Sequence, residues 1–209
     1  MKEIALIAYG FLSTILPALL CYGVLHSVYR SKGIREPRFR LLMILVLSVY
    51  VAGVFFFTGA GTVYDIRQYG LDAMATQANL SPFSDKSIDV VAYLLNVVLF
   101  LPLGFLLPLL WPKQAKLWKI LLTGVAFSLL IELSQLLNIR NSDIDDLLLN
   151  TLGAVVGFAL YRGYAALTKR EKRIETGFRA EALLYFLVMF LGRFLLFHEL
   201  GFAKILYGF

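Results

Sequence analysis

The sequence predicts an all-α fold, a polytopic transmembrane helical bundle of about six spans, or five if the last does not cross. Three observations carry this. Of 209 residues, 59% are hydrophobic and the mean hydropathy is +0.76, beyond the usual range of a soluble domain. Apolar stretches long enough to cross a hydrocarbon core recur along the whole chain. Basic residues gather in every second connection between those stretches. Residues 1–209 read as a single membrane domain with no room for a sizeable soluble one.

The spans fall at about 3–26, 39–60, 89–111, 117–138, 146–167 and 181–203. The first follows Lys2 and runs from Ile4 to about Leu25, longer than a signal h-region and with no A-x-A-like site after it. Bulky Leu20 before Cys21 argues against lipoprotein cleavage, so the segment reads as a retained helix. Cys21 is the one cysteine and forms no internal disulfide. The connection 61–88 has room for a short outer helix around "YDIRQYGLDAMATQA" and ends in "NLSPF", which has turn chemistry. In span 3, Pro102, Gly104 and Pro108 of "LPLGFLLP" are structural, expected to kink the helix and thin one face. Span 6 holds Gly192 and Arg193 and either tilts across or lies partly in the interface.

The connections "RSKGIREPRFR", Lys113 to Lys119, and "TKREKRIETGFR" are basic, whereas 61–88 and 139–145 are acid-bearing. The positive-inside rule then puts the basic connections in the cytoplasm of a bacterial cell, and the acid-bearing connections and both termini outside. The net charge of +6 is read as this topology signal, and no nucleic-acid partner is expected. Anionic lipid headgroups are a further use of the basic loops. No cofactor is expected: there is no P-loop, no metal-ligand spacing and no Ser/His/Asp arrangement, and "DIDD" lacks the glycine and terminal Glu of an EF-hand.

The chemistry concentrates in "IELSQLLNIRNSDIDDLLLN", Ile131 to Asn150. Ser128, Glu132 and Gln135 share one face of span 4, and Asp143, Asp146, Asn150, Gly153 and Gly157 form one stripe of span 5. Tyr93 and Asn96 sit at the matching depth of span 3. An ionisable side chain within a span costs about 2.5–3.5 kcal/mol on insertion scales and faces the bundle interior or a wet cavity. The expectation is an outward polar pocket between spans 3, 4 and 5, with Asn96, Glu132, Gln135, Asp143, Asp146 and Asn150 as ligand-binding candidates. Plainer roles compete. Ser142 as N-cap with Asp145 makes a capping box. Gly153 and Gly157 in "GAVVG" form a small-xxx-small packing motif, or else border a groove for an acyl chain. Arg193 is a structural candidate, either pairing with Glu132 or snorkelling.

"NLSPF", "NVVLFLPLGFLLP", "IELSQ" and "DIDDLLLNTLGAVVG", in that order and spacing, resemble the VanZ-like family of bacterial membrane proteins over residues 79–160. The resemblance implies an envelope protein that lowers sensitivity to lipid-tailed glycopeptide antibiotics of the teicoplanin type. Its shared polar positions fall on Asn96, Glu132, Gln135, Asp143, Asp146 and Asn150. Three activities fit these residues. The first is capture of an outer-leaflet amphiphile, whether a lipoglycopeptide, a lipid or a cell-wall precursor. The second is carboxylate acid/base chemistry on such a lipid or glycan by Glu132 with Asp143 or Asp146. The third is a small transporter.

Overall fold

A computed structural model describes residues 1–69, 78–79, 81–83, 90–138, 142–168 and 180–208. Most of the basic link after residue 168, and the part of the expected outer helix beyond Tyr69, lie outside the described residues. The long elements are all helices: α1 (Lys2–Ser31), α2 (Arg40–Thr58), α3 (Val63–Tyr69), α4 (Val90–Leu110), α5 (Leu117–Gln135), α6 (Ile144–Leu167), α7 (Glu181–Leu196) and α8 (Glu199–Tyr207). Among the described residues, α1, α2 with α3, α4, α5 and α6 are each long and apolar enough to cross a membrane, and α7 with α8 forms a sixth such stretch bent by 48°. The chain is a multi-pass membrane protein. The helices start and stop within a few residues of the predicted spans because hydrophobic runs bounded by charge or Pro/Gly leave little choice of boundary.

The helices group into two compact units. The first comprises Met1–Gly70 and Thr176–Phe209, and the second Leu71–Glu175.

In the first unit, α7 and α8 run antiparallel along α1 from end to end. The Tyr29 hydroxyl donates to Glu181 Oε2 at 3.1 Å at one end. In the middle, Gly192 packs so closely that a Cβ there would lie 2.4 Å from the Ser13 carbonyl oxygen. At the other end, Lys2 Nζ stands 4.9 Å from the Tyr207 ring centroid. A 30-residue α1 is about 45 Å long, and α7 and α8 together, bent by 48°, run along that length. The break is served by α1. The Tyr9 hydroxyl donates to the Leu196 carbonyl and accepts the His198 N–H at 3.1 Å, meeting backbone groups that the helix has released. Leu47, Val51, Phe55, Tyr185 and Met189 fill the core.

That unit also buries charge. Glu181 is 0% exposed and accepts from both Tyr29 and Arg40. Arg40 Nε lies 3.0 Å from Glu36 Oε1, and His26 Nδ1 meets Glu36 Oε2. Pairing is what makes an enclosed carboxylate tolerable.

In the second unit, α4 and α6 run parallel at backbone contact. A Cβ on Gly104 would sit 1.8 Å from the Ala154 oxygen, on Gly153 2.2 Å from the Val97 oxygen, and on Gly157 2.0 Å from the Leu101 oxygen. Only glycine allows this approach, so the packing reading of "GAVVG" holds. Helix α4 fills the space directly over these two glycines. Pro102 and Pro108 lie inside α4, which is helical throughout Val90–Leu110. Helix α5 returns antiparallel, with Phe127 on Phe100 at a centroid distance of 5.6 Å and Gly124 against Ala154. A two-residue parallel pairing, Ala78 with Ser142 and Asn79 with Asp143, ties the incoming loop to the start of α6.

Candidate functional site

This arrangement collects the N-terminal ends of α4 and α6 and the C-terminal end of α5 on one side of the second unit. The polar residues therefore converge although they are spread from Asn79 to Asn150 in sequence. Two helix starts also favour negative charge there.

The hydrogen bonds show how the convergence is built. Asp145, 3% exposed, accepts from the Tyr93 hydroxyl at 2.5 Å and from the Phe83 N–H at 2.9 Å. It thereby pins "NLSPF" to the bundle. Phe83 takes a left-handed φ of 51° at this contact, the one such non-glycine residue among those described. Ser81 N–H donates to Asn79 Oδ1 at 3.1 Å, and Asn79 Nδ2 donates to Asp143 Oδ2 at 3.2 Å. Asn96 Nδ2 donates to Asp146 Oδ1 across α4 and α6. Asn150 Nδ2 donates to Ser128 Oγ at 3.0 Å across α6 and α5.

One expectation is corrected. The N-cap of α6 is Asp143, whose side chain accepts the Asp145 N–H at 2.9 Å, and not Ser142. The parallel pairing extends the backbone through Ser142 and Asp143, so the helix begins one residue later than local pattern suggests. Within the second unit, Glu132 Oε2 accepts the Asp143 N–H at 3.0 Å. The carboxylate closes the turn between α5 and α6.

Glu132, Gln135 and Asn150 are 5%, 5% and 2% exposed, while Asp143, Asp146 and Asn96 are half-buried. The cluster thus has an enclosed floor and a partly open rim. On the floor, Asn150 Oδ1 is enclosed and meets no donor among the described residues. An acceptor left so costs about 1–3 kcal/mol. Among the described residues, no three His, Cys, Asp or Glu side chains are placed to hold a metal ion. Apolar side chains flank the polar end on its outer faces: Leu94 on α4, Leu133 on α5, and Leu148 and Leu152 on α6 are all exposed.

The sequence reading left out Phe83, whose contribution is a backbone N–H, and gave Asn79 only a turn role. "NLSPF" was the available signal, since Asn and Pro at those spacings reverse a chain.

No curated protein and no solved structure matches this chain. The VanZ/LLP1 family profile matches residues 41–170, which reach beyond the second unit to include α2 and α3. The match covers more than half of the chain and contains every polar residue gathered at the ends of α4, α5 and α6, so this protein belongs to the VanZ/LLP1 family.

Proposed function

We propose that the polar end of the second unit binds the headgroup of an amphiphile, and that the protein thereby lowers sensitivity to lipoglycopeptide antibiotics of the teicoplanin type. The enclosed, unmet Asn150 Oδ1, about one turn along α6 from Asp146, carries this reading. A site so rich in acceptors selects a ligand rich in donors: an ammonium, sugar hydroxyls or amide N–H groups. The exposed Leu94, Leu133, Leu148 and Leu152 beside it offer a lipid tail an apolar wall at the same level. An amphiphile satisfies both surfaces and a free sugar only one. The charge of the connections supports an outer-leaflet location, with the polar end outside and the basic loops cytoplasmic. A lipid-linked cell-wall precursor or another envelope lipid has the same chemistry and is the physiological ligand class in this reading.

The test is direct titration of the detergent-purified protein with teicoplanin and vancomycin, alongside Asn150→Leu and Asp146→Asn. The expected result is saturable binding of the lipid-tailed drug alone, weakened about tenfold or more in Asn150→Leu, since a buried polar match is worth a few kcal/mol. Equal binding by folded variants, or no binding of either drug, sinks the antibiotic reading. Chemical conversion of the ligand during incubation would point instead to the carboxylates acting as acid and base.

A further inference from the structure

A second polar feature lies in the other unit. Arg193 is 8% exposed near the middle of the polypeptide's last apolar stretch, and its Nε is enclosed without a hydrogen-bond partner among the described residues. Its guanidinium carbon stands 3.7 Å from the Phe197 ring centroid. Gly10 makes room for it, since a Cβ there would meet Nη1 at 3.0 Å and Phe197 at 3.3 Å. The acids that act on it electrostatically are Glu199 and Asp65, and neither is within ion-pair distance among the described residues. Asp65 is engaged elsewhere: its Oδ2 accepts the Thr62 N–H at 2.6 Å and the Thr62 hydroxyl at 3.1 Å. Glu199 is exposed in the first turn of α8.

An unpaired guanidinium inside a span is costly and marks a site unless something pairs with it. Its depth and surroundings indicate the partner. Gly10 lies about 12 Å along α1 from Lys2, so the guanidinium stands nearer that end of α1 than its middle, the side from which a snorkelling side chain reaches a headgroup phosphate. The surface beside it is apolar, with Leu191, Leu195 and Leu196 exposed, which suits acyl chains and not bulk water. The break between α7 and α8 lets this happen, because the chain bends where the Tyr9 hydroxyl takes over its backbone groups.

We propose that Arg193 anchors a second ligand site, in the first unit, that takes the phosphate of a membrane lipid. Arg is suited to this role because its planar fork can give two parallel hydrogen bonds to one phosphate. This site does not depend on the function proposed for the other unit.

The experiment is native mass spectrometry of the full chain released from detergent, titrated with phosphatidylglycerol or with inorganic phosphate. The wild-type protein is expected to retain the lipid, and inorganic phosphate is expected neither to be retained nor to displace it. Arg193→Gln should retain at least about tenfold less, as expected when one partner of a buried charge pair is truncated. Arg193→Lys should keep part of the retention, and Arg162→Gln, which alters an exposed arginine of α6, should change nothing. Equal retention by a folded Arg193→Gln protein overturns the site. Retention of inorganic phosphate with no lipid overturns the lipid assignment. If Arg193→Gln does not fold, Gly10→Leu, whose side chain must take the space held by Nη1 and the Phe197 ring, displaces the guanidinium while keeping its charge, and unchanged retention in that variant also overturns the proposal.

Discussion

The two units of this protein solve the same problem in different ways. Each must enclose carboxylates in a chain surrounded by hydrocarbon. The first meets Glu181 with a guanidinium, from Arg40, and a phenol, from Tyr29. The second meets its acids with N–H and O–H groups: Asp145 takes the Phe83 N–H and the Tyr93 hydroxyl, Glu132 the Asp143 N–H, and Asp146 the Asn96 amide. A countercharge neutralises, whereas dipolar donors stabilise a carboxylate and leave its net charge in place. The helix contacts differ as well. In the second unit backbones touch through Gly104, Gly153 and Gly157, while α1 and α7 meet mainly through side chains, with Gly192 the close point.

Substitutions can break or sharpen this contrast. The largest effect is expected at the glycine contact. Gly104→Leu places atoms where the Ala154 carbonyl stands, and no rotamer avoids a Cβ at 1.8 Å. The α4–α6 pair should separate, with loss of the monodisperse protein in size-exclusion chromatography. Next comes the buried pair of the first unit. Glu181→Ala removes the enclosed carboxylate that Arg40 and Tyr29 share, leaves Arg40 its pair with Glu36, and should cost about 3 kcal/mol, read as a lowered midpoint in detergent unfolding. A smaller loss, about 2–3 kcal/mol, is expected for Asp145→Ala, which removes the acceptor of the Phe83 N–H and the Tyr93 hydroxyl. Asp145→Asn retains an acceptor and should recover part of it. The smallest effect belongs to Asn96→Leu, which removes one interhelical hydrogen bond worth about 0.6–1.7 kcal/mol. If Asn96→Leu proves as damaging as Glu181→Ala, the distinction between countercharge and dipolar donors fails.

Much of this architecture was legible without coordinates, and the reasons are physical. Span positions follow from apolar runs that have nowhere else to go, as with 89–111 against Val90–Leu110. The shared face of Ser128, Glu132 and Gln135 follows from helical period alone. What could not be read depends on residues far apart in sequence. The cap of α6 moves to Asp143 because Asn79, 64 positions earlier, pairs with it. The break at Phe197 and His198 has no proline to announce it, and the group that satisfies it is the hydroxyl of Tyr9, 187 positions before Leu196. The bond from the Asp143 N–H to Glu132 was missed for a related reason, since a backbone N–H leaves no trace in a residue pattern.

The α4–α6 contact has a mechanical consequence. The carbonyls of Val97 and Leu101 each seat in the notch of a glycine four residues from the next, Gly153 and Gly157. Two teeth and two notches make a rack. Such a pair slides only by whole turns of about 5–6 Å, never by fractions. A slide of that size would tear Asn96 from Asp146 and Tyr93 from Asp145. The rim they form therefore keeps one aperture, and residues 78–79 and 81–83 are held to that rack at Asp143 and Asp145.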